Sequence, residues 1–247
     1  MDNVAPSRAL NRRSTYLLQL GFVILAVGVF LTIVGLFMVT VQLFPPGHSL
    51  YGLYNVVGDI VFILGLVVAL IGVAMAIRAV TRRKENDLAN HTGQFLAQFL
   101  DGRYTFIRNI NRPGLGYIDA VLIGPPGALV FRIVDNEGSF ANEASNWLKQ
   151  NATSEWIPLG FSPTKEDVDD IQAVRQFLAK KNLAQVPVFG VVVFIKDPSR
   201  VQVVEKEPVV PISLLTSLYT NLGRDYLSKQ DRIPQEVVTA IRRFLLE

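Results

Sequence analysis

No cysteine occurs among the 247 residues. That excludes disulfide staples and thiolate metal sites, and it suits a reducing compartment. Histidine is nearly missing as well: the two present are His48 and His91, too few for a histidine-rich metal centre or an imidazole relay. No phosphate-binding Walker loop, dinucleotide fingerprint, nucleophile elbow or HExxH stretch is found, which removes the commonest nucleotide-binding, hydrolase and metalloprotease classes. Charge is scarce, at 18% against 50% apolar residues, a balance that leans towards a membrane protein.

The scarcity of charge is concentrated. Between Arg13 and Asp59 there is no Lys, Arg, Asp or Glu. Two apolar runs, 16–44 and 53–79, each exceed the roughly 20 residues needed to cross about 30 Å of hydrocarbon. A cleaved signal peptide does not explain the first run, because secretory cores span only about 7–15 residues. Pro45-Pro46-Gly47-His48-Ser49 breaks the helix and forces a reversal. The expected organisation is a cytoplasmic N-terminal segment over 1–14, a transmembrane helical hairpin over 15–80, and a soluble domain over 85–247. Arg8, Arg12 and Arg13 precede the hairpin and Arg78, Arg82, Arg83 and Lys84 follow it, while the connecting loop carries no Lys or Arg. The positive-inside rule therefore predicts that both termini and the soluble domain lie in the cytoplasm. Asp59 is the one ionisable residue inside a span, and a snorkelling carboxylate near Asn55 or His48 is preferred there over a transport site.

Glycines recur every seven residues in both runs, at Gly21, Gly28 and Gly35 and at Gly58, Gly65 and Gly72. In an antiparallel pair they suggest a seam in which Gly21 faces Gly72, Gly28 faces Gly65 and Gly35 faces Gly58. Seven-residue spacing favours a left-handed crossing.

Residues 1–84 hold seven of the 24 basic residues and two of the 21 acids, so 17 bases face 19 acids in the remainder. The basic total thus belongs to the membrane flanks and does not mark a nucleic-acid binder. In the soluble part the pattern predicts an amphipathic helix over 85–100 and a strand over 104–110. A central hairpin follows, with strands 117–123 and 128–134 joined by Gly124-Pro125-Pro126-Gly127. The double proline predicts a widened loop or a cis bond. Residues 139–160, with Trp147 and Trp156, read as irregular. A helix should start at Ser162-Pro163 and end near Lys181, burying Val168, Ile171, Val174, Phe177 and Leu178. Buried strand 186–195, short strand 201–204 and helices 212–222 and 234–246 complete the chain. The fold class expected is a two-helix transmembrane hairpin followed by an α/β domain with a central mixed sheet flanked by helices.

The wording GYIDAVLIGPPGALVF on this order of elements resembles the nuclease-related domain, NERD, a branch of the restriction-endonuclease-like PD-(D/E)xK superfamily. The resemblance covers about Thr92 to Phe194 and is carried by Gly116, Ile118, Asp119, Val121, Gly124, Pro125 and Gly127. It implies a restriction-endonuclease-like fold. It also implies a site with two carboxylates on one divalent metal and a lysine beside the attacking water. Asp119 matches the first carboxylate. The remaining positions fall on Arg132 and Val134 in the second strand and on Gln94 in the first helix, so three of four groups are replaced. Asp135 and Glu137 alternate to the opposite strand face from 132 and 134, and only a bulge would bring Asp135 round. An ion pair between Asp119 and Arg132 is the expected structural use of the surviving acid.

The sequence therefore favours a membrane-anchored, non-catalytic NERD-like interaction domain that needs no cofactor. Its expected partners are the lipid bilayer and a nucleic acid or protein at the membrane surface, with a homo-oligomer left open. Arg103, Arg108 and Arg112 are the candidates for contacting phosphate. The alternative is a membrane-tethered, Mg²⁺-dependent nuclease with a migrated site.

Overall fold

The computed structural model describes residues 1–5, 9–229 and 232–246; the side chains of 6–17 and 81–86 lie outside the description. Arg8, Arg12, Arg13, Arg82, Arg83 and Lys84, on which the orientation argument rests, are among these. The chain forms two compact units, Arg8–Lys84 and the combination of Met1–Ser7 with Glu85–Glu247.

The first unit is a helical pair. Helix α1 runs Ala9–Thr40 and helix α2 runs Tyr51–Ala97. Leu18–Thr40 and Tyr51–Val80 are long and apolar enough to cross a membrane. Their outward faces are bare leucine, isoleucine, valine and phenylalanine, as in Phe22, Phe30, Ile60 and Leu70. Among the described residues from 18 to 80, the buried ones are Gly21, Gly28, Gly35, Gly58, Gly65, Gly72 and Ala79. The missing side chains admit the other helix's backbone. Space beside Gly28 is filled by Ala69, beside Gly35 by Phe62, beside Gly65 by Thr32 and beside Gly72 by Leu25. This register differs from the glycine-on-glycine pairing expected from the sequence. Each glycine is a hole that receives a larger residue, about one turn away from the opposing glycine. The Thr32 hydroxyl turns back to donate to the Gly28 carbonyl at 2.8 Å, so no polar group is stranded in the seam. Asp59 is exposed on α2.

The second unit is an α/β domain. Strands β1 (Asp2–Val4), β2 (Thr105–Arg112), β3 (Gly116–Gly124), β4 (Gly127–Val134), β8 (Val188–Phe194) and β10 (Ile212–Leu214) form a mixed sheet in that spatial order. β2, β3 and β4 are antiparallel neighbours, and β4–β8, β8–β10 and β1–β2 are parallel. Helices α3 (Pro163–Ala179) and α5 (Gln235–Leu246) bury Ile171, Val174, Leu178, Val238, Ile241 and Leu245 in the core on one face. The other face packs under the last turns of α2 and helix α4 (Leu218–Leu222), through Leu96, Leu100, Leu218 and Leu222. β4 and β8 are buried on both faces, hence their almost unbroken apolar sequences.

Three local expectations need correction. Residues 139–160 are not irregular: β5 (Gly138–Glu143), β6 (Asn146–Gln150) and β7 (Trp156–Pro158) join β9 (Val201–Lys206) in a second, four-stranded sheet. Phe140 and Trp147 face its core side, and the Trp147 indole donates to the Thr164 hydroxyl at 2.8 Å. The Gly-Pro-Pro-Gly link is a tight turn between paired Gly124 and Gly127, and no cis peptide occurs among the described residues. Gly127 closes it with φ of +135°, and the Pro125 carbonyl accepts from the Arg232 and Ile233 amides. Residues 212–222 begin as strand β10, pass through a 3₁₀ turn into α4, and continue as a π-helix over Gly223–Leu227.

β1 was not anticipated. Its three residues add a strand to the sheet edge, Asp2 pairs with Arg242 at 2.8 Å, and Asn3 accepts from the Arg108 guanidinium at 2.7 Å.

Candidate functional site

Asp119 lies where the central hairpin opens. β3 and β4 pair from Gly124↔Gly127 down to Ala120↔Phe131, and there the ladder ends. The Asp119 carboxylate then stands in for a backbone acceptor, taking the Ile133 amide at 2.8 Å. On its other side, Asn109 interrupts the β2–β3 ladder in the left-handed region, with φ of +54°. Asparagine tolerates that conformation better than most residues, and its side-chain oxygen accepts from the Tyr117 hydroxyl at 3.0 Å. Both neighbours of Asp119 in the sheet are thus displaced around a buried carboxylate.

Arg132, on β4, reaches towards Asp119 at 3.7 Å and forms an ion pair with Glu166 in the first turn of α3. The next residue of α3 is a buried acid. Asp167 is fully buried (0% exposed), and neither of its oxygens has a hydrogen-bond partner. It occupies the apolar stripe of α3 with Ile171, Val174 and Leu178, and Gly190 of β8 makes room for it: a methyl group there would collide with Asp167 and Ile171. Burial, reinforced by the neighbouring Asp170, pushes the Asp167 carboxyl up to about 8. Burial likewise pushes Asp170 up to about 7, against the opposing pull of Arg132.

The structure brings Asp119 and Arg132 together and adds Glu166, Asp167 and Asp170. The other positions carried over from the resemblance are spent elsewhere. Val134 is buried in the core and Gln94 is exposed on α2. Asp135 pairs with Lys196 at 3.1 Å, and Glu137 with Lys196 and Arg200 at 3.5 and 3.2 Å. Glu166, Asp167 and Asp170 are not among the site residues expected from the sequence. The signal was available: position 167 is four residues before Ile171 and seven before Val174, so an acid sat on the face that must be buried.

Residues 84–195 match the family model of the nuclease-related domain, NERD. No curated protein and no solved structure matches the chain. The NERD match covers α3 and the central hairpin, so it includes Asp119, Arg132 and the α3 acids. A divalent metal of the kind used by the wider nuclease superfamily does not fit this donor set. The Arg132 guanidinium sits against Asp119 and Glu166, and among the described residues no three His, Asp or Glu side chains are placed to share a cation.

Proposed function

We propose that this chain is a membrane-anchored NERD domain that acts by binding and does not cut phosphodiesters. One observation carries the reading: the Arg132 guanidinium lies between Asp119 and Glu166, so a fixed protein cation takes the place a metal would need. Val134 at the ammonium position supports it, since no lysine there can orient water. Two of the three arginines suggested for phosphate contact are engaged internally: Arg103 with Asp101 at 2.9 Å and Arg108 with Asn3. This favours a protein partner over nucleic acid. The membrane anchor is the α1–α2 hairpin, whose two ends both lead into the α/β unit. The pairing of β1 with β2 supports an N-terminus and an α/β domain on the same side of the bilayer, and the flanking arginines and lysine support the cytoplasm as that side.

The test is direct. Purified full-length protein is incubated with plasmid, single-stranded DNA and RNA in Mg²⁺ or Mn²⁺, and no cleavage is expected. Cleavage that disappears on Asp119→Ala overturns the reading.

A further inference from the structure

A second concavity has no part in the Asp119 cluster. A cavity of about 500 Å³ opens between β8, the start of β10 and the π-helix, within the size range of small-molecule sites. Its floor is apolar, with Leu129, Ile171, Val191, Ile212 and Leu222. Its mouth carries three cations, Arg175, Arg224 and Lys229, against one acid, Asp225. The Tyr226 wall is fixed by its hydroxyl, which donates to the Gly127 carbonyl at 2.9 Å.

Two further features point to a ligand. The wall bearing Arg224, Asp225 and Tyr226 is a π-helix, a rare conformation that concentrates at functional sites. The sheet edge is also left open here. β10 pairs with β8 only from Val192 onward, and the Val192 amide bonds to the Pro211 carbonyl at 2.9 Å. Strand alternation aims the Gly190 N–H along that same edge two residues earlier, into the cavity wall. Ser213 and Asn221, joined by a 3.0 Å hydrogen bond, add polar atoms beside it.

We infer that this cavity binds a phosphomonoester of mononucleotide size. Its ring or apolar body lies on Leu129, Ile212 and Leu222, and its phosphate lies between Arg224 and Lys229. Arg224 is paired with Asp225 at 3.4 Å, which leaves the mouth about two net positive charges, and a dianionic phosphate answers these better than a singly charged carboxylate does. Arg175 spends one nitrogen on the Val188 carbonyl at 2.9 Å, and Lys229 is steadied over the Phe189 ring at 4.3 Å. Most of the lining, from Val209–Ser213 and Asn221–Lys229, lies beyond residue 195, outside the NERD match. The site does not depend on whether Asp119 supports cleavage.

The experiment is titration calorimetry on the full chain in detergent with AMP and GMP. Adenosine, inorganic phosphate and short-chain phosphatidate serve as separate arms. A mononucleotide should bind at submillimolar concentration, and adenosine and phosphate should each bind at least tenfold more weakly. Arg224→Ala with Lys229→Ala should weaken binding by about tenfold or more. Arg224 is exposed and Lys229 half-buried, and an unchanged circular dichroism spectrum checks the fold of the double variant. Phosphatidate binding with the same dependence, and no mononucleotide binding, keeps the phosphomonoester and assigns it to a lipid headgroup. If no phosphomonoester binds, or binding survives the double substitution, the inference fails.

Discussion

Asp167→Asn should make the soluble domain's stability less sensitive to pH. Asp167 keeps its proton in the folded chain up to about pH 8 and releases it near 3.8 once unfolded. The folded state therefore binds more protons in between. The Asp167 contribution to stability is fullest below pH 3.8 and is lost as pH rises towards 8. The shift of about four units, at about 1.4 kcal/mol each, sets a ceiling of about 5–6 kcal/mol. That ceiling is comparable to the entire stability of many domains, about 5–15 kcal/mol. Asp170 adds a second, smaller contribution with the same sign up to about pH 7. Asparagine has nearly the same shape but no proton to lose. Its buried amide costs about 1–3 kcal/mol at every pH if left unbonded, so the slope is the readout and the absolute stability is not. Urea unfolding followed by tryptophan fluorescence is suitable, because Trp147 is buried in the domain core and bonded to Thr164. Between pH 5 and 7 the wild type should lose up to about two protons' worth of stability per pH unit, and Asp167→Asn about one. Equal slopes in the two proteins would refute the assignment of a buried, protonated Asp167.

Two further predictions concern the hairpin. Gly28→Leu or Gly65→Leu should lower the thermal midpoint in detergent, since a Cβ at either position meets the partner helix's backbone; overpacking of this kind costs about 1–3 kcal/mol. Gly52→Leu, where nothing lies within 4 Å, is the control, and equal effects at all three positions would remove the seam. Because the chain has no cysteine, single Cys substitutions report its sidedness cleanly. Ser49→Cys should react with an impermeant maleimide from outside intact cells, whereas Gln202→Cys should react only after permeabilisation; the reverse pattern would invert the orientation.

What could be read from sequence, and what could not, follows from the range of the interactions involved. The apolar runs, the central hairpin, α3 and α5 declare themselves through local periodicity, which a single stretch of chain carries whole. The strands of the second sheet do not, because β5 is stabilised by β9 some sixty residues later and exposes polar residues such as Asn146 and Glu143 along its hairpin. β1 is three residues long and exists only through its pairing with β2, about a hundred residues on. The glycine seam was legible as a stripe, but its register was not. Matching glycine to glycine ignores that a hole is best filled by a larger residue, and Ala69, Phe62, Thr32 and Leu25 supply that volume. At the Asp119 site the motif located one carboxylate, while the acids of α3 required knowing which helix face is buried.

The acids and Arg132 are best understood together. Asp119, Glu166, Asp167 and Asp170 bring four carboxyls near one guanidinium, and full ionisation of the group would be strongly unfavourable in a buried setting. The cluster relieves this in two ways. Arg132 offsets part of the charge of the two carboxylates it reaches, and burial holds Asp167 as the neutral acid. Removing Arg132 would thus leave Asp119 and Glu166 without that cation and raise Asp167 and Asp170 further, since Arg132 opposes the rise at both. The acids are consequently tolerated because the arginine is there. That dependence makes Arg132 a structural tie between α3 and β4, and it gives Asp119 a structural use on the hairpin.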